Sequence, residues 1–209
     1  MSDAVEALRP WDGAKPCPDK AGWGQAPRLA GDSGVWVFIF ADMLAFGIFF
    51  TLFTIGRAHN PALYEASRQA LDPVLGLLNT LILLTSGWLM ALAVEAAKAE
   101  DRPRVTRYLM LAMLVGACFA VTKIYEYSEK LKAGISMLSN EFFMYYFIFT
   151  GIHFLHFILG MAALAVCLVK SRSQAMDAPY VVFIESCGSY WHMVDLLWIV
   201  LFPLLYLLQ

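Results

Sequence analysis

The stretch from Asn140 to Gln209 constrains this chain more than any other, because it is apolar enough to cross a bilayer twice and still carries ionisable groups. NEFFMYYFIFTGIHFLHFILG and, after a polar break, ESCGSYWHMVDLLWIVLFPLLYLLQ hold His153, His156, Glu185, His192 and Asp195 between them. A helical residue turns by about 100° from its neighbour, so Glu185, Ser189, His192 and Asp195 form one stripe, and His153, His156 and Gly160 another. An ionisable side chain left facing lipid costs roughly 2.5 to 3.5 kcal/mol or more. The two stripes are therefore expected to face inward, on consecutive antiparallel helices, and to satisfy each other at the core of a helical membrane bundle.

The rest of the chain agrees with a membrane setting. Hydrophobic residues make up 60% of the 209 and charged ones 15%, where a soluble domain would carry about 25% charge. Mean hydropathy is +0.62. A formal net charge of −2, with the basic residues gathered between apolar runs, speaks against nucleic acid as a partner. Cys17, Cys118, Cys167 and Cys187 show no paired spacing, and three of them lie inside apolar segments, where a thiol behaves as a small hydrophobe.

Five apolar runs approach the roughly 20 residues that a spanning helix needs. The spacing predicts spans at about 34–56, 73–96, 107–127, 141–169 and 179–208. Residues 1–33, polar and interrupted by Pro10, Pro16, Pro18 and Pro27, read as a flexible tail without the apolar core of a cleavable signal, so the first span serves as the insertion signal. GDSG at 31–34 reads as a turn that caps this span, and Pro203 as a kink near the end of the last. Residues 34–209 then form one all-α integral membrane domain. Lys and Arg concentrate in the tail and in the loops after the second and fourth spans, as at Lys98, Arg102, Arg104, Arg107, Lys170 and Arg172. The opposite side has Arg57, Arg68, Lys130 and Lys132, so the expected topology is N-terminus cytoplasmic and C-terminus outside, in the periplasm for a bacterium.

Several functions are open to the polar residues. His153, His156, His192, Glu185 and Asp195 have the ligand types of a metal site, although no Glu-x-x-His pair is present. A haem between His153 or His156 and His192 would need the rings to face one another. A proton relay, or a buried hydrogen-bond network in which neutral histidines bridge helices, needs no cofactor. Asp42, the one charge in its span, is either bonded to a neighbouring helix or positioned to exchange protons or meet lipid headgroups. Asn79 and Ser86 share a face of the second span, beside Gly87, which permits close helix contact. Lys123 snorkels outward, pairs with Glu126, or meets a partner subunit. Transport through Asp42 and Glu185 would call for broken helices or an inverted repeat, which the sequence lacks.

LLNTLILLTSG (77–87), KIYEY (123–127), TGIHFLHFILG (150–160) and ESCGSYWHMVDLLWIVLF (185–202), in this order and on separate spans, resemble the haem-copper oxidase subunit III family in its five-helix form. Ala41-Asp42 in place of the family's usual Ser-Glu, and Lys123 in place of an uncharged residue, make the chain look most like the NorE-type accessory proteins found with nitric oxide reductase. The resemblance implies a non-catalytic subunit of the bacterial inner membrane, with no catalytic or metal-binding residues of its own. It would pack beside the catalytic subunit of a nitric oxide reductase or an oxidase, which holds the haem and metal, and would keep structural phospholipid. It also implies that Asp42, Glu126, His153, His156, Glu185, His192 and Asp195 match the family's polar positions, with Asn79 and Lys123 completing the buried polar set.

Overall fold

The computed structural model describes residues 29–173 and 177–208. Most of the tail predicted over 1–33, Cys17 and three residues of the last loop lie outside them. Six α-helices follow in order: α1 (Ser33–His59), α2 (Pro61–Arg68), α3 (Pro73–Lys98), α4 (Arg102–Lys132), α5 (Glu141–Ser173) and α6 (Ala178–Phe202), the last continued by a π-helical turn at Pro203–Leu207. All but α2 are long and apolar enough to span a membrane.

These helices begin where short acceptor side chains stand. Asp32, Asp72, Asp101, Asn140 and Asp177 each accept a backbone N–H from the first turn of the helix that follows, and an Asp32 Oδ1–Gly34 N distance of 2.6 Å makes the predicted GDSG cap. The caps sit outside the apolar runs, so each helix extends past hydrocarbon into the headgroup zone. A helix of 27 residues, as α1 is, measures about 40 Å against a hydrocarbon core of about 30 Å. The polar connection read at 56–72 also contains structure. Pro61 opens α2, whose buried Tyr64 packs edge-on against Phe53 and Phe142 and whose Ser67 accepts a hydrogen bond from Asn140.

The helix α3 packs most extensively, on α4 and α6; α5 lies against α4 and α6; α1 leans on α6 and α5 at the rim. Phe119, Trp191, Trp198, Leu109 and Leu197 fill the centre, all fully buried. Of α1 only Phe46 and Phe53 are buried, held by aromatic contacts to His156 and Phe149. Pro203 has no N–H to continue an α-ladder, and the chain widens into the π-helical turn that places Tyr206 inside the bundle.

Candidate functional site

Deepest in the bundle is a charged pair. Lys123 and Glu126 sit one turn apart on α4, both buried, with Lys123 Nζ donating to Glu126 Oε2 at 2.8 Å. The other carboxylate oxygen accepts from Tyr206 Oη at 2.6 Å and Tyr146 Oη at 2.9 Å, and Lys123 also donates to Tyr206 Oη at 3.2 Å. Trp198, Tyr146, Tyr127 and Tyr206 present their rings to the ammonium, the nearest centroid 4.8 Å away. Lys123 therefore does not snorkel to the interface, because the aromatic cage and Glu126 replace the water it would have sought. Above this network Asn79 of α3 meets Thr122 of α4, and Ser86 donates to the Ala112 carbonyl at 2.8 Å, so the polar face of α3 joins it to α4.

The two histidines of α5 go separate ways. His153 is fully buried, and because a carbonyl can only accept, its Nε2–H donates to Val194 of α6 at 3.0 Å, leaving Nδ1 without a partner. His156 gives its Nδ1–H to the Ile152 carbonyl at 2.9 Å, and its Nε2 lies 3.1 Å from Asp42 Oδ1 on α1. That contact requires a single proton, carried either by the imidazole or by the carboxyl. Asp42 is thus bonded to a neighbouring helix.

The stripe on α6 also divides. Glu185 accepts the Gly31 N–H at 3.0 Å and pairs with Lys98 at 2.8 Å, while Ser186 Oγ accepts the Asp32 N–H at 2.8 Å. Gly31, at φ +81°, runs so close to the Ser186 backbone that a Cβ there would collide with it. Further along, Asp195 turns toward α3, where Gly87 leaves room for its carboxylate. His192 Nδ1 lies 3.7 Å from Asp195 Oδ2, with nearly half of the imidazole exposed. Asp195 Oδ1 is buried and has no partner.

The two stripes do not satisfy each other as the sequence pattern suggested. His153 reaches only a backbone carbonyl of α6, and the others turn to a third element: His156 to α1, Glu185 to the segment before α1 and the end of α3, and Asp195 toward α3. His192 does not face inward at all. The rings of His153 and His192 face different neighbours, which removes the paired haem ligands considered above, and among the described residues no three His, Cys, Asp or Glu side chains converge as a metal site would require. Cys118, Cys167 and Cys187 are free thiols. Sequence reasoning missed the partners rather than the groups. Lys98 reads in the sequence as a loop charge, and neither Tyr146 nor Tyr206 stands out there; a lysine in an apolar span, three residues before Glu126, was the signal for a buried network at that point.

The architecture defines a multi-pass helical membrane protein whose ionisable groups are dispersed, in small separate networks, along the helix contacts. Its sequence then places it: a family model described as cytochrome c oxidase subunit III matches residues 29–209, and the chain belongs to that family. Similar proteins include the heme-copper oxidase subunit I+III of Aeropyrum pernix, 31% identical over 182 residues, 84% of this chain and 22% of that protein. Cytochrome c oxidase subunit 3 of Corynebacterium diphtheriae is 29% identical over 178 residues, 84% of this chain and 87% of the relative. The probable quinol oxidase subunit 3 of Staphylococcus saprophyticus is 24% identical over 176 residues, with the same coverage of 84% and 87%. The chain therefore spans most of the length of the free-standing relatives and less than a quarter of the Aeropyrum protein.

Proposed function

We propose that this chain is a non-catalytic accessory subunit of a respiratory complex, seated beside a subunit I-type catalytic chain that carries the haem and metal. The single observation behind this reading is the family match over residues 29–209, and the dispersed networks, which serve helix contacts rather than a common centre, agree with it. The Aeropyrum relative, whose name joins subunits I and III, supports the choice of partner. Within the bilayer the chain would stabilise that partner and retain structural phospholipid. The distribution of Lys and Arg supports an N-terminus in the cytoplasm and a place in a bacterial inner membrane.

The finer assignment is to the NorE-type branch, in support of a nitric oxide reductase and hence of denitrification. Ala41-Asp42 and the buried Lys123 carry that assignment. The names of the relatives favour a second reading, subunit III of a cytochrome c or quinol oxidase. Purification of a tagged copy in mild detergent, with mass spectrometry of what accompanies it and an optical spectrum, separates the two. Haem-containing nitric oxide reductase subunits in the eluate are the expected result, and oxidase subunits would move the assignment to the second reading. A colourless protein that comes alone, from cells making both complexes, would overturn the accessory role.

A further inference from the structure

Lipid-facing surfaces of this bundle are apolar almost throughout, with one departure. Among the described residues, His192 is the one His, Asp, Glu, Lys or Arg side chain that is exposed in the middle of a span. It stands midway along Ala178–Leu207, about 15 Å from either headgroup layer. Hydrocarbon offers it neither donor nor acceptor. Its only charged neighbour is Asp195, at 3.7 Å from Nδ1, and its Nε2 has no partner among the described residues. Asp195, which is 95% buried, keeps an oxygen unpartnered beside it. This small network is incomplete in the isolated chain.

The surroundings of His192 are shaped to be covered. Toward the Asp32 end, Ser189, Gly188 and Glu185 of α6 and Ala91 of α3 line an open concavity of about 180 Å³, space for one side chain rather than for a lipid headgroup. Ala91 and Ser189 are small enough to admit a neighbouring helix, as close contacts between membrane helices require, while Gly188 already lies against Val94 and Met90 of α3. Trp88 and Leu84, one and two turns along α3 from Ala91, and Leu196, one turn along α6 from His192, are exposed and add an apolar rim.

We propose that this α3–α6 face docks a transmembrane helix of the catalytic subunit, and that the incoming helix presents a hydrogen-bonding side chain to His192 at mid-bilayer. The proposal rests on the accessory-subunit reading above. A polar partner is what sets the occupant apart: an acyl chain would fit the rim but leave the imidazole unbonded, whereas a helix with a carboxamide, hydroxyl or carboxylate at that depth completes it. His192 acts here as a positioning residue for the partner.

The test uses the full complex in native membranes. A benzophenone amino acid is placed at Trp88 or Leu196, with Val121, on the outward face of α4, as control. Irradiation is expected to link positions 88 and 196 to the catalytic subunit and to leave 121 unlinked. In parallel, His192→Leu is expected to retain about tenfold less catalytic subunit through detergent purification, and His192→Gln, which keeps a hydrogen-bonding group, to restore most of it. Adducts from 88 and 196 only to lipid, or to a second copy of this chain, would overturn the proposal, as would wild-type retention by His192→Leu. If the wild-type chain retains no catalytic subunit at all, the accessory reading itself fails; if it retains that subunit while linking to it only through other faces, the accessory reading stands and this docking face does not.

Discussion

Glu126 and Asp195 are both buried carboxylates on spanning helices, and the bundle treats them in opposite ways. Glu126 receives Lys123, Tyr146 and Tyr206, with both oxygens engaged and aromatic rings closing the site. Asp195 has a half-exposed histidine at 3.7 Å, the α3 backbone at Gly87, and one oxygen left over. A saturated network reports on the fold, since removing any member leaves a charge stranded in a low-dielectric interior. An unsaturated one at the surface reports on something outside the fold. The contrast predicts that mutations in the first region act on stability and mutations in the second act on assembly.

The strongest way to break that contrast is Lys123→Met, which strands Glu126. A loss of about 3–5 kcal/mol is expected in detergent unfolding, and Lys123→Met combined with Glu126→Gln should recover most of it, because the amide still accepts from both tyrosines. Equal destabilisation in the single and double variants would mean that packing, and not charge, holds the region. Next in size is Gly87→Val, whose side chain runs into the Asp195 carboxylate; about 1–3 kcal/mol is expected from the same measurement. Asp42→Leu strips His156 of its partner on α1, for about 1–3 kcal/mol, and should loosen α1 alone, seen as faster proteolysis of the segment between α1 and α3. His192→Leu in the isolated chain should fall within about 0.5 kcal/mol of wild type, and a larger loss would place His192 with the saturated region.

The smallest effect lies outside the membrane, in α2. Arg68 donates to Glu65 and also to the Tyr206 carbonyl in the π-helical turn. The hydrogen bonds from Arg68 hold the Glu65 carboxyl below the usual glutamate value of 4.5. Since the folded value is the depressed one, this contribution is whole above pH 4.5 and fades as pH falls through the lower value. Amide exchange in α2 is expected to quicken modestly in that window and, because the pair is exposed, to quicken also with added salt at neutral pH.

Much of the architecture was legible because the bilayer leaves few choices: apolar length gave five spans and GDSG the cap of the first, whereas the third span, read from 107, begins at Arg102 behind Asp101. The polar residues themselves were equally legible. Their partners were not, because helical periodicity fixes the face of each side chain on its own helix and says nothing of which neighbour that face meets. His192 shows the limit most clearly. It shares a stripe with Asp195, yet a drift of three residues around the helix carries one inward and the other outward. Tyr206 was hidden for another reason, since only the π-helical turn after Pro203 brings it under Lys123. The family resemblance supplied what periodicity could not, namely that these scattered groups belong to one protein type.

The contact between the Gly31 N–H and Glu185 joins positions 154 residues apart, the beginning of the first span to the beginning of the last. During synthesis, at roughly 5–20 residues per second, the first helix would wait on the order of 10–30 s in the bilayer before its anchor emerges. Its own burial is slight and Asp42 has no imidazole until α5 arrives, so the earliest piece made is the last to be secured. Closing that clasp secures the first of the described spans against the last.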